Sequence, residues 1–120
     1  MACIGINIFF IAEFKKLIAV LLLNKLATES ITISAKVWSP RAGLKLLMKF
    51  EDAAPWPATK ATAEITATTT VANAWELLTF TITGVDASLE YYNLVLIMDN
   101  GTQGDGSSNY TIYVDDIAKY

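Results

Sequence analysis

Residues 31–51 read ITISAKVWSPRAGLKLLMKFE, and apolar and polar side chains alternate on both sides of a break at residues 39–43. Successive side chains of a β-strand point to opposite faces, so this period of two predicts strands over residues 31–38 and 44–51. The break holds a proline and a glycine, which are typical of turns and predict a hairpin between the two strands. The faces expected in a core carry Ile31, Ile33, Ala35, Val37, Leu44, Leu46, Met48 and Phe50.

The same alternation continues towards the C-terminus. It predicts four more strands, over residues 60–71, 76–83, 93–99 and 110–117. Leu94 to Asp99 is apolar on both faces, a pattern that predicts a central strand. Short strands at regular spacing, separated by turn residues, indicate an all-β fold of the antiparallel β-sandwich kind. In the predicted strand over residues 76–83, the side chains expected to point into the core are those of Leu78, Phe80 and Ile82.

The composition fits one folded domain and removes several kinds of chemistry. The chain has 120 residues, 53% of them hydrophobic and 18% charged, which is enough apolar sequence for a single core. The formal net charge is −3 and Lys119 is the only basic residue after residue 60, so nucleic acid is not an expected partner. Histidine is absent and cysteine occurs once, which excludes a histidine general base and an internal disulfide.

Residues 1–27 differ from residues 28–120 and are treated as an atypical hydrophobic N-terminal segment ahead of the sandwich. The segment has two apolar runs separated by a polar break, and neither reaches the ~20 residues that a transmembrane helix needs, so no transmembrane span is expected. Two interpretations stay open. One is a helix over about residues 11–26, and the other is a poor signal peptide in which two lysines precede the apolar residues 17–23.

Four sequence blocks follow one another in an order and spacing that carry more information than any block alone. They are KVWSP at residues 36–40, LMKFED at 47–52, TTTVANAWELLTF at 68–80 and YVDDI at 113–117. Over about residues 28–117 the chain thereby resembles the jelly-roll carbohydrate-binding modules of the family four and nine type. These are galactose-binding-like sandwiches attached to bacterial polysaccharide hydrolases.

The resemblance implies a non-catalytic module, secreted or held at the cell surface, that targets a β-glucan-like polysaccharide for an associated glycoside hydrolase. It also implies a concave sheet on which aromatic rings stack against sugars, and a structural calcium ion beside the Asp115-Asp116 pair of the last strand. Similar modules carry further N-terminal strands. The resemblance therefore implies a sandwich truncated at its N-terminus, with residues 1–27 as a foreign segment.

Among the aromatic residues, Trp56 is the first ligand candidate. Prolines on either side place it in a loop, where an exposed indole offers a flat apolar face to a sugar ring. Trp38 lies within a predicted strand and Trp75 directly at the start of another, and both are expected to pack in the fold, so Trp75→Ala is expected to cost about 3 to 5 kcal/mol of stability.

Four tyrosines lie near predicted strands. Tyr91 and Tyr92 are adjacent and should face opposite ways, so at most one of them, taken as Tyr92, reaches a given groove. Tyr110 and Tyr113 should also face opposite ways, and one of them, taken as Tyr110, is expected to line the binding sheet.

The polar candidates are Lys49, Glu51 and Asp99. Lys49 and Glu51 share a strand face, where they either contact sugar hydroxyls or form a solvated surface. Asp99 ends a strand, where it either orients a hydroxyl or caps the following loop. Asp115 and Asp116 should point to opposite faces unless a β-bulge intervenes, and one of them suits calcium, which prefers hard oxygen ligands.

Two other functions stay open on sequence alone. One is a structural or adhesive sandwich without a glycan groove. The other is a glycosidase that uses two carboxylates, for which Glu51 and Asp52 are the candidates besides the C-terminal pair. Neighbours in sequence rarely reach the separation of about 5 to 10 Å that such a mechanism requires, so the glycosidase is the weakest of the three.

Overall fold

The computed structural model describes residues 7–10 and 30–119, with the backbone alone for residues 7–10. The all-β prediction is confirmed, since this part of the chain contains strands, one short 3-10 turn and no α-helix. The strands are β1 (Asn7–Phe10), β2 (Ile31–Ser39), β3 (Lys45–Asp52), β4 (Ile65–Thr68), β5 (Ala74–Ile82), β6 (Tyr91–Met98) and β7 (Thr111–Lys119), and the 3-10 turn is Ser108–Tyr110. Across these residues, no helix is long and apolar enough to cross a membrane.

The strands form two sheets. One has the order β1-β7-β2-β5 and the other the order β4-β3-β6. All neighbouring pairs are antiparallel apart from β1 and β7, which run parallel and pair Asn7 with Thr111 through Phe10 with Val114. Four residues of the N-terminal segment therefore belong to a sheet, while the helix over residues 11–26 and the alternative, a signal peptide with residues 17–23 as its apolar run, lie outside the described residues.

Both sheets contribute to a single hydrophobic core. The predicted inward faces of β2, β3 and β5 are confirmed, because their alternate residues are buried. Since apolar surface removed from water stabilises a fold by roughly 25 cal/mol per Å², this shared core is what holds the two sheets together. Its members on strands are Ile31, Ile33, Ala35, Val37, Leu46, Met48, Phe50, Leu78, Phe80, Ile82, Tyr91, Met98, Ile112, Val114 and Ile117.

The predicted hairpin between β2 and β3 is wrong, because the two strands lie in different sheets. The loop between them crosses from one sheet to the other. Gly43 adopts a φ of 82°, a conformation open to glycine, and its N–H donates to the carbonyl of Thr69 at 2.7 Å. The hydroxyl of Thr69 then accepts the N–H of Leu44 at 3.0 Å, so Thr69 fixes the start of β3 in the second sheet.

The strand predicted over residues 60–71 is shorter than expected, since only Ile65–Thr68 is a strand. The pairing with β3 is interrupted because Thr62 and Ala63 direct their N–H groups to different strands. The N–H of Thr62 donates to Phe50 and that of Ala63 donates to Thr83, each at 2.9 Å. The segment therefore bridges the end of β3 and the end of β5 before it joins the second sheet.

The prediction of a central strand over residues 94–99 is also wrong. In the three-stranded sheet described here, β3 is central and β6 lies at the end. The apolar character of both faces of β6 has another source. Met98 packs in the shared core, and Ile97, paired with Leu47 of β3, is buried on the opposite face of the same sheet.

Candidate ligand-binding face

Three aromatic residues form a row across the outer face of the four-stranded sheet. Trp38 of β2 pairs in register with Trp75 of β5 on one side and with Tyr113 of β7 on the other. The neighbour of Trp38 on β2 is Val37 and the neighbour of Tyr113 on β7 is Val114, and both valines are buried in the core. Because side chains alternate along a strand, the three rings point away from the core.

The three rings converge instead of lying side by side. The rings of Trp38 and Tyr113 meet edge to face, with centroids 5.4 Å apart and planes at 69°, and Trp75 lies 6.5 Å from Tyr113 at 47°. Together they line a depression of about 190 Å³. Trp75 is 47% exposed and Trp38 is half-buried, so apolar ring surface is held at the protein surface.

The prediction that Trp75 is a core residue is therefore wrong. Along β5 the residues that enter the core are Leu78, Phe80 and Ile82, and Trp75 has the opposite parity. Trp38 does pack, as predicted, but against Tyr113 on the outer face instead of in the core between the sheets.

A charged cluster lies next to this aromatic row. Lys36 pairs in register with Asp115, two residues along the strands from Trp38 and Tyr113, and so shares their face. Nζ of Lys36 lies 2.6 Å from Oδ2 of Asp116. The hydrogen bond to Asp116, and then the charge of that carboxylate, raise the pKa of Lys36 above its usual range.

A β-bulge in β7 explains why both aspartates lie outside the core. Between the pairs of Ser34 and Lys36 the register shifts by one residue, and Asp116 adopts a φ of 48°. The buried residues of β7 change parity accordingly, from Ile112 and Val114 to Ile117. In a regular strand, Asp115 and Asp116 would face opposite sides. A β-bulge is the predicted exception to this expectation, and it is present here, so both side chains lie outside the core.

These two aspartates are the predicted calcium ligands. Calcium takes six to eight oxygen ligands. One carboxylate is engaged by Lys36, and Oδ1 of Asp115 accepts the N–H of Asp116 at 2.7 Å. In residues 30–119, no group of three or more acidic, cysteine or histidine side chains is arranged to hold a metal ion.

The remaining predicted ligand residues lie apart from the aromatic row. Trp56 is 87% exposed in the loop after β3, as expected, but it does not line the depression. Lys49 and Glu51 share one face of β3, as expected, and that strand belongs to the other sheet. The structure therefore does not bring Trp56, Lys49 and Glu51 together with Trp75.

Lys49 is surrounded by carboxylates. Its Nζ lies 3.0 Å from Glu51 and 3.3 Å from Glu64. These two carboxylates, of which Glu51 makes the larger contribution through its hydrogen bond, raise the pKa of Lys49. Asp52, the neighbour of Glu51, uses Oδ1 to accept the N–H groups of Ala54 at 3.2 Å and Lys60 at 2.9 Å. Of the two carboxylates considered for a glycosidase, Glu51 thus forms an ion pair with Lys49, and Asp52 accepts hydrogen bonds within the loop after β3.

Asp99 and Tyr110 both contact Arg41. Nη2 of Arg41 donates to Oδ2 of Asp99 at 2.8 Å, and its guanidinium lies 4.9 Å from the centroid of the Tyr110 ring. Tyr110 belongs to the 3-10 turn and not to β7, so its expected place on the binding sheet is wrong. The carboxylate of Asp99 thus anchors Arg41 in the loop between β2 and β3, which is neither of the two roles expected for it.

The two adjacent tyrosines face opposite sides, as predicted. Tyr91 is buried in the core, and its hydroxyl accepts the N–H of Asp86 at 2.8 Å. Tyr92 is 44% exposed, and its hydroxyl donates to the carboxylate of Glu90, which raises the pKa of Tyr92. Tyr92 is therefore accessible, but it lies on β6 in the other sheet.

The row itself was missed by sequence reasoning, although a signal for it exists. Trp38 and Trp75 have the parity opposite to the core residues of their own strands, and Tyr113 has the parity opposite to Ile112 and Val114, the core residues of β7 before its bulge. What the sequence does not show is that β7, β2 and β5 are neighbours in one sheet.

The chain matches no protein-family model, no curated protein and no solved structure. The all-β fold and the outward-facing aromatic row are therefore the basis for a functional proposal.

Proposed function

We propose that this chain is a non-catalytic glycan-binding module of the jelly-roll type, with its binding site at the row of Trp38, Trp75 and Tyr113. The observation that carries the proposal is the depression lined by these three rings on a sheet face. The C–H faces of a pyranose ring are apolar, and aromatic rings offer them a flat complementary surface. A partly exposed tryptophan on a rigid strand suits that role better than it suits packing.

The size and shape of the site determine the expected strength of binding. A volume of about 190 Å³ is below the roughly 300 to 1,000 Å³ of pockets that enclose drug-sized ligands, so most of a bound glycan stays in water. Mobile glycans also lose conformational freedom when they bind. The dissociation constant should be on the order of micromolar to millimolar.

The wider part of the proposal rests on the family resemblance of residues 28–117. By that resemblance, the module is secreted or held at the cell surface and targets a β-glucan-like polysaccharide for an associated glycoside hydrolase. Two sheets around one core are compatible with a jelly roll. A structural calcium ion near Asp115 and Asp116 belongs to the same proposal.

Affinity electrophoresis tests the binding proposal. The folded protein is run through native gels that contain β-1,3-glucan, β-1,4-glucan, mixed-linkage glucan, xylan or mannan, and retardation by at least one polysaccharide is expected. If none of them retards the folded protein, the glycan-binding proposal is wrong and a structural or adhesive sandwich replaces it. Release of reducing sugar from a retarding polysaccharide would instead indicate a glycosidase.

A further inference from the structure

We infer that, in the protein without bound calcium, Asp115 and Asp116 make the aromatic site select uncharged glycans over acidic ones. This inference rests on the proposed function. It adds the chemical class of glycan that the site binds, and it assigns that preference to two residues. The carboxylates act as specificity determinants beside the rings, and they do not themselves form a separate site.

The position of the two aspartates follows from the sheet register. Lys36 and Asp115 form the next outward-facing pair after Trp38 and Tyr113. Two residues of a β-strand span about 7 Å, so the charged pair lies about one sugar residue away from the aromatic row. A glycan on the row therefore lies within about 7 Å of these charges, whether it follows the row or extends along the strands.

The charges next to the row do not balance. Among the residues that the structure describes there, Lys36 supplies one positive charge and Asp115 and Asp116 supply two negative ones, which leaves one negative charge in excess. The ammonium group is already bound by Asp116 at 2.6 Å, and side-chain exposures of 51% and 58% place the pair in contact with water. Lys36 is therefore engaged before any ligand arrives.

This arrangement treats neutral and acidic glycans differently. Carboxylate oxygens accept hydrogen bonds from the hydroxyl groups of a neutral sugar. A glycan carboxylate at the same place meets like charge, and at physiological ionic strength the screening length is about 8 Å, so the repulsion acts over the distance involved. At low ionic strength the discrimination should be largest.

Hydroxyethylcellulose and carboxymethylcellulose provide the test, because they share a β-1,4-glucan backbone and differ in charge. Binding of both is measured by affinity electrophoresis or calorimetry at low and high salt, with a chelator present. We expect the wild-type protein to bind the neutral polymer at least about 5-fold more tightly at low salt, with the ratio falling as salt increases. The ratio should fall to 1 or below in Asp115→Asn/Asp116→Asn, because Lys36 then carries the one charge left among these three residues.

Asparagine suits both positions, since it tolerates the left-handed conformation at residue 116 and keeps the oxygen that accepts the backbone N–H. If the double variant does not fold by circular dichroism, Asp116→Asn alone is used. The matched control is Glu64→Gln/Asp86→Asn, which removes two exposed acids that lie outside β2, β5 and β7 and should keep the wild-type ratio.

Equal binding of both polymers by the wild-type protein at low salt would overturn the inference and leave the proposed function intact. An unchanged ratio in the folded aspartate variants would also overturn it. Failure of the wild-type protein to bind either these polymers or any neutral glycan of the wider panel would contradict the proposed function, and with it this inference.

Discussion

The indole of Trp38 and the phenol ring of Tyr113 meet edge to face, with centroids 5.4 Å apart and planes at 69°. Aromatic pairs prefer this geometry and gain about 0.5 to 1.5 kcal/mol from it beyond the area they bury. The pair joins β2 to β7 on the outer face of the sheet, where Trp75 of β5 leans towards the same tyrosine. Trp38 and Tyr113 thus hold each other in place beside an exposed third ring.

Trp75→Ala should weaken glycan binding by about 1 to 3 kcal/mol, as is typical for aromatic residues at the centre of a binding surface. Its effect on the free energy of unfolding should be smaller than the about 3 to 5 kcal/mol of a large core residue, because the ring is 47% exposed and outside the core. Binding is measured by affinity electrophoresis and stability by urea denaturation.

Trp56→Ala is the matched control for Trp75→Ala, since it removes an indole of 87% exposure that does not line the depression. It should leave binding unchanged. If Trp56→Ala loses glycan binding and Trp75→Ala binds glycan as the wild-type protein does, the binding site is the loop that holds Trp56 and not the aromatic row.

The contrast between Phe80 and Trp75 shows how far sequence reasoning reaches. Both lie on β5, and the period of two correctly predicted that Phe80 is buried, because alternation along a strand is a local property. Residue type alone predicts Trp75 in the core, although its position along the strand alternates with that of Phe80 and so places it on the other face. Which strands become neighbours depends on contacts between distant parts of the chain, so neither the crossing loop at Gly43 nor the aromatic row could be derived from local pattern.

Gly84→Ala should destabilise the protein more than Gly43→Ala does. Both glycines have positive φ, 68° and 82°, so an alanine is strained at either position by about 1 to 2 kcal/mol. A Cβ at residue 84 would also lie 3.1 Å from the backbone nitrogen of Ala63, which donates to Thr83, whereas a Cβ at residue 43 meets nothing within 4 Å.

The difference between the two glycine variants should be at least about 1 kcal/mol in urea denaturation, since backbone atoms cannot move aside as a flexible side chain can. Equal midpoints for the two variants would show that the contact with Ala63 is relieved without cost.

Arg41→Met should destabilise the protein by about 1.5 to 3 kcal/mol, because Asp99 is 8% exposed and would keep its charge without its cation. Arg41 also donates from Nε to the carbonyl of Asn109 at 3.1 Å, so the loop before β7 should loosen as well. Chemical denaturation measures the change.

The double variant Arg41→Met/Asp99→Asn should recover part of this loss, because asparagine carries no charge and tolerates the φ of 49° at residue 99. If the double variant is as unstable as Arg41→Met alone, the uncompensated charge of Asp99 is not the cause.

Calcium should raise the melting temperature and a chelator should lower it, since a metal that binds only the folded state stabilises it by mass action. Asp115→Ala should abolish the shift, and Asp86→Ala, which removes an exposed acid from a loop elsewhere, should retain it. An identical melting curve with calcium and with chelator would show that this chain binds no structural calcium.

The three tryptophans of the chain give three indole N–H signals in a ¹H–¹⁵N correlation spectrum, each assigned by a Trp→Phe variant. Titration with a polysaccharide that retards the protein should move the signals of Trp75 and Trp38, whose rings line the depression, and leave the signal of Trp56 in place. If the Trp56 signal alone moves, or if all three stay in place at saturating glycan, the aromatic row is not the binding site.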